Sequence, residues 1–142
     1  MPSKAVSVQF PTMSLSNAFR SVSVGESNGS SAAVEVHCGA RELGALDVYD
    51  ADGRLVDRLD LAGDHDSLAI DLAHIVPRLL AYSCATVILH HRHPSGLAEP
   101  SDADIITTRA FAGLLRQLGI RLHDHLIEGG SARFSFRVQG LI

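Results

Sequence analysis

Residues 90–105 read His-His-Arg-His-Pro-Ser-Gly-Leu-Ala-Glu-Pro-Ser-Asp-Ala-Asp-Ile. His91 and His93 stand two apart at the end of an apolar run that predicts a strand, so their imidazoles share one side of the sheet and can bind one ion. His90 points the other way. Ser101 and Asp104 fall in the first turn of a predicted helix, whose start can swing a carboxylate back over the strand end. Two neutral imidazoles and a carboxylate leave one coordination position open, which is the ligand set of a catalytic zinc and not of a closed structural one. Zinc held this way lowers the pKa of a bound water to about 7 and makes hydroxide available at neutral pH. Ser101 followed three residues later by Asp104 also reads as a helix cap, with an acid in the first turn favoured by the helix dipole. One serine can serve both purposes.

These residues need a sheet and a helix start to bring them together. Residues 43–49 and 54–61 are apolar runs on either side of Asp50-Ala51-Asp52-Gly53, a hairpin signal. In residues 67–82, Leu68, Leu72, Ile75, Val76, Leu79 and Leu80 recur at helical spacing, with Pro77 predicting a kink or a break into two short helices. Residues 85–89 suit a buried central strand. The strongest helix signal is 101–118, where Ile105, Thr108, Phe111, Leu115 and Leu118 make one face and Gly119 follows the end. Two further strands, 120–128 and 132–138, surround Gly129-Gly130. The order strand, strand, helix, strand, helix, strand, strand predicts an α/β (α+β) sandwich with a mixed β-sheet flanked by helices.

With 142 residues, 46% of them hydrophobic, the chain suffices for one globular domain. Nine serines crowd the first 31 residues, so residues 1–35 are expected to be a flexible Ser-rich arm ahead of a domain at 36–142. The match of Gly25-Glu26-Ser27-Asn28-Gly29 to the hydrolase elbow G-x-S-x-G lies in that arm with no helical pattern after it, and we attribute it to composition. A net charge of −4 argues against broad binding to nucleic acid or anionic lipid. Cys38 and Cys84 have no C-x-x-C spacing and no apolar leader is evident, so a reducing, cytoplasmic setting without membrane association is the expectation.

The histidine segment resembles the JAB (JAMM or MPN) metallopeptidase-like domains, whose motif is H-x-H, ten residues, then D, with a serine three before the aspartate. His91, His93, Ser101 and Asp104 fit it in full. Within that group the chain is similar to the RadC-like branch: Arg41-Glu42 ahead of a strand, Asp50, Arg54-Leu55-Val56, Leu118-Gly119-Ile120-Arg121 with Asp124-His125-Leu126-Ile127, and Ser135-Phe136-Arg137 with Gly140-Leu141-Ile142 all look like its pattern. The resemblance covers residues from about 38 to the end. It implies the JAB/MPN (cytidine-deaminase-like) architecture, Zn(2+) bound by His91, His93 and Asp104, Glu42 as the glutamate that holds the water and shuttles its proton, and Ser101 as donor to an oxyanion. That division suits hydrolysis of a peptide or isopeptide bond in a peptide or protein substrate. Glu35 competes with Glu42 for the base, and Asp124 and His125 are candidates to support a ligand imidazole. Two departures stand out: Arg92 replaces the Asn common between the histidines, and Asp71-Leu72-Ala73-His74 replaces an Arg-Glu pair.

Two other functions compete. A JAB-fold interaction module would dock a protein and cleave nothing, and would be favoured if Glu42 lay far from the metal. A DNA-repair role, carried historically by the RadC name, would need Arg109, Arg116, Arg121, Arg133 and Arg137 to form a basic face; a solvated, salt-bridging surface is the plainer reading.

Overall fold

The computed structural model describes residues 41–63 and 68–142. The expected Ser-rich arm, its G-x-S-x-G match, Glu35 and Cys38 lie outside them.

The first hairpin forms where the turn chemistry asked for it. Gly53 takes a φ of 77°, open to glycine at no steric cost, and Asp50 Oδ1 accepts from the backbone N–H groups of Asp52 and Arg54 at 2.9 Å each. The turn joins β1 (Leu43–Tyr49) to β2 (Leu55–Ala62) as an antiparallel pair. Then follow α1 (Leu72–Ala81), β3 (Thr86–Arg92), α2 (Asp102–Gln117), β4 (Arg121–Gly129) and β5 (Ala132–Ser135). The five strands make one mixed sheet in the order β2-β1-β3-β4-β5, with β3 and β4 parallel. Both crossovers, β2-α1-β3 and β3-α2-β4, run the same way across the sheet, and the usual right hand puts both helices on one face. The core agrees: Leu46, Val48, Val87, Leu89 and Leu122 of the sheet form one buried cluster with Ile75 and Leu79 of α1 and Phe111 and Leu115 of α2. His91 shares the face of Leu89, two residues earlier, so it points into the helix-bearing side.

The opposite face holds its own buried polar group. His90 Nε2 lies 2.9 Å from Asp47 Oδ2, and Arg58 donates to Asp47 Oδ1 at 2.9 Å. The two adjacent histidines therefore serve opposite faces.

The ladder between β3 and β4 slips once. Val87 pairs with Leu122, but Ile88 pairs with Asp124, so His123 is an extra residue that forms a bulge in β4. At the far end of β4, Gly129 lies under the chain that leaves β3: a Cβ there would sit 2.4 Å from Ala98 N and Gly96 O. Only a glycine lets the 96–98 segment cross this strand.

Three boundaries and one expected break differ from the sequence reading by more than a residue. The first helix begins at Leu72, capped by Asp71, and not near 67, because Leu68 is drawn into a bridge with Gly63 and buried in the core. It runs unbroken across Pro77, whose missing N–H leaves only the carbonyl of the exposed Ala73 to water. β3 continues to Arg92, past the expected end at 89. The last strand stops at Ser135 because Phe136 turns back into the core, fully buried.

Candidate metal centre

Three chain segments supply the site: the residue just ahead of β1, the end of β3 with the residue after it, and the first turn of α2. Glu42, His91 and His93 each offer a donor atom within 4.8 Å of the others. Glu42 Oε2 is 2.7 Å from His91 Nε2, and Oε1 is 4.0 Å from His93 Nε2. Asp104 closes the group from the helix: Oδ2 is 3.1 Å from His93 Nε2, and Oδ1 is 3.4 Å from His91 Nδ1. The imidazole rings of His91 and His93 meet edge to face, 4.5 Å between centroids. His93 lies one residue past the strand, so the shared direction of the two imidazoles comes from the turn at 93–96 as well as from strand alternation.

Asp104 reaches this position because it is also the third residue of α2. Ser101 is the N-cap: its hydroxyl accepts from Asp104 N at 3.1 Å, while Asp104 Oδ2 accepts from Ser101 N and from Ser101 Oγ, both at 2.7 Å. This is a reciprocal capping box. The cap reading of Ser101 and Asp104 is what this geometry shows, with the serine hydroxyl turned onto the aspartate.

Burial sets the electrostatics. Glu42 and Asp104 are 4% and 5% exposed and His91 is fully enclosed. Burial pushes the His91 imidazolium below its ordinary range against the opposing pull of Asp104 and Glu42, so the ring is neutral at neutral pH. For Asp104, burial works upward but is outweighed by the two hydrogen bonds from Ser101 and the neighbouring imidazoles, and the carboxyl ends below its usual range. A neutral imidazole and an ionised carboxylate are the protonation states that metal ligands need. The donor atoms of Glu42, His91 and His93 lie close enough together to share one ion, while Asp104 is not in that group and faces Nδ1, the other ring nitrogen of His91. His91 Nδ1 is buried without a hydrogen bond, as are His90 Nδ1 and His125 Nε2, and it alone of these faces a carboxylate of the site, Asp104 Oδ1 at 3.4 Å. The donor set fits a dication.

Asp124 and His125, grouped together as candidate supports, part company. Asp124 faces away from the site and accepts from Ser135 Oγ at 2.6 Å and from Arg137 N at 3.0 Å. His125 lies on the site's face, stacked on His91 with centroids 5.6 Å apart and planes at 16°, and backed by Phe136 at 4.5 Å and 18°. Its Nδ1 is 2.7 Å from Thr108 Oγ1. The contact of His125 with the His91 imidazole is a ring face, and the part played by Phe136 and Thr108 had no motif to announce it.

Burial, then the neighbouring His91, lower His125 to about 3. In the unfolded chain it titrates near 6.5, so the unfolded state takes up the proton first as pH falls and stability is lost from about pH 6.5 down toward 3. Over that window the loss from this one group reaches about 5 kcal/mol. Metal-stripped protein should therefore show urea midpoints falling steeply below pH 6.5. In His125→Phe, which keeps the stack, the slope should be clearly shallower, with the remainder from His91 and His123, which are lowered too. An unchanged slope in that variant would refute the assignment.

The supposed basic face is partly engaged. Arg133 pairs with Glu128 at 3.0 Å, Arg137 donates to the carbonyls of His123 and Leu122, and Arg109 reaches the carbonyl of Leu141 at 3.4 Å. No helix among the described residues is long and apolar enough to cross a membrane.

Comparison with known proteins bears on the same segments. The sequence model of one family, described as the RadC-like JAB domain, matches residues 21–141. Among curated proteins, the chain is 38% identical over 103 residues to a UPF0758 protein of Marinomonas sp. (strain MWYL1), covering 72% of this chain and 46% of that one. It is 39% identical over 102 residues to a UPF0758 protein of Cellvibrio japonicus, covering 71% and 46%. The UPF0758 protein YfjY of Escherichia coli K12 is 41% identical over 81 residues, 57% of this chain and 51% of its own length. The chain thus spans about half the length of the curated relatives it matches.

Proposed function

The chain belongs to the RadC-like JAB domain family, and from that premise we propose that it is a zinc-dependent hydrolase of peptide or isopeptide bonds. The observation that supports the reading is the buried group of Glu42, His91 and His93, whose donor atoms lie within 4.8 Å of one another, with the Asp104 carboxyl beside both imidazoles. His91, His93 and Asp104 would hold the ion. When bound, zinc supplies Lewis acidity toward the substrate carbonyl and toward water.

The remaining chemistry belongs to this chain's side chains. Glu42, within reach of both imidazoles, takes the proton from the attacking water as its oxygen bonds to the carbonyl carbon. It then delivers that proton to the nitrogen as the C–N bond breaks, so that carboxylate and amine leave with atoms balanced. Ser101 Oγ, released from Asp104, donates to the oxygen on which charge develops. His125 and Phe136 hold the plane of His91.

Protein purified without chelator should carry about one equivalent of zinc and cleave a peptide or isopeptide reporter. His91→Ala should carry none and cleave nothing. Zinc bound as well by His91→Ala as by the wild type would end the reading.

A further inference from the structure

Beside the candidate metal centre, on the β1 and β3 side, lies an open cleft of about 350 Å³ walled by Arg41, Leu43, Arg92, His93, Pro94 and Gly96. His93 is common to both: the carboxyl groups of Asp104 and Glu42 approach its Nε2, and the ring also borders the cleft. Each arginine directly precedes a site residue, Arg41 before Glu42 and Arg92 before His93. Leu43 and Arg92 are partners across the β1·β3 ladder, which sets the two strand ends side by side at this rim.

The charge of the cleft is of one sign. Among the described residues its lining carries two guanidinium groups and no carboxylate. Among the described residues, Arg54, Arg58, Arg78 and Arg133 each hold an acid within 4.0 Å; Arg41 and Arg92, like Arg109, Arg116, Arg121 and Arg137, hold none, but these two alone line the cleft. The acid nearest to Arg92 in the ladder, Glu128, bonds to Arg133 at 3.0 Å. Half-buried Arg92 and exposed Arg41 thus present planar donor forks, a geometry that matches a carboxylate with two parallel hydrogen bonds. Exposed Leu43 and Pro94 add an apolar wall for the stem of a side chain. The volume suits one or two residues of a peptide and no more.

We infer that this cleft is a subsite for a carboxylate lying next to the scissile bond, either an acidic side chain or the free C-terminus of the substrate. Its place in the substrate rests on the hydrolase reading; its ligand rests on Arg41 and Arg92. Such a site makes the substrate's own acid the counter-ion of the arginine pair and turns the carbonyl toward His93. It also gives Arg92, the departure from the branch's usual Asn, a task in selection of substrate.

The test is calorimetric titration with short acetylated peptides in matched pairs, Glu against Gln and free C-terminus against amide, on zinc-loaded and zinc-stripped protein. The carboxylate member of at least one pair should bind about 10- to 100-fold more tightly, and which pair discriminates identifies the source of the carboxylate. The advantage should persist without zinc and shrink to within a few fold in both Arg41→Gln and Arg92→Gln. Arg41 is exposed, so its variant stands even if Arg92→Gln folds poorly. Equal binding within both pairs, an advantage that vanishes with zinc, or full retention in both variants would overturn the subsite. Carboxylate preference without cleavage of any peptide would leave the subsite standing and defeat the hydrolase reading; cleavage without preference would do the reverse.

Discussion

Glu42→Gln will keep the metal and lose the reaction: turnover of a peptide or isopeptide reporter is expected to fall by about 10²- to 10⁴-fold, the range lost with a general base. The amide is isosteric and still hydrogen-bonds to His91, so folding and the pocket's shape should survive. It has no lone pair basic enough to take a proton from water. The geometry makes this a sharp test, because Glu42 stands 2.7 Å from one imidazole nitrogen and 4.0 Å from the other, close enough to be a ligand as well as a base. A ligand and a base respond differently. A base leaves zinc affinity within a few fold, while a fourth ligand takes it down by orders of magnitude along with turnover. Competition against a chromophoric chelator separates the two, and a Glu42→Gln protein that turns over at the wild-type rate would exclude Glu42 from the chemistry altogether.

Asp104 carries the second large effect, and its two duties can be split by choice of substitution. Asp104→Asn keeps an oxygen to accept from Ser101 N but loses the charge that faces His91 and His93. Zinc affinity should drop by more than the about 10- to 100-fold that a merely supporting residue costs, with little change in melting temperature for the metal-free protein. Asp104→Ala should lose zinc to the same degree and in addition about 1 kcal/mol of stability from the broken capping box. Ser101→Ala should show the mirror image: a similar loss of cap stability, near-normal zinc binding, and a fall in turnover of about 10²-fold if its hydroxyl meets the oxyanion. Zinc bound by Asp104→Asn as tightly as by the wild type would remove Asp104 from the ligand set.

Much of this architecture could be read in the residues. The 43–49 strand, the Gly53 turn and the 101–118 helix with its serine start are local signals, and local turn and cap chemistry fixed them within a residue or so. Where tertiary packing competes with local pattern, the reading slipped. Leu68 fits a helical period but is taken by the core, and Phe136 continues an apparent strand but turns inward to stack on His125. The site divides the same way. His91, His93 and Asp104 are linked by short spacing and so are visible in sequence. Glu42 is 49 residues from His91, and only the family resemblance pointed to it. The stack of His91, His125 and Phe136 was not legible at all, because ring order across a sheet depends on register.

That register hangs on His123. Partners in a parallel ladder share a face, so with the extra residue Leu89 lies beside His125 and His91 beside Ile127. Were the same residues paired in a regular ladder with no bulge, Leu89 would lie beside Asp124 and His125 beside His90, on the far side of the sheet. The bulge is a frameshift written in space: one residue decides whether the layer behind the metal-facing imidazole is a neutral aromatic ring or an acid. The bulge is therefore a chemical parameter of the centre. A chain that lacked the bulged residue itself would keep this second layer, because Leu122 and Asp124 would then follow each other in regular register.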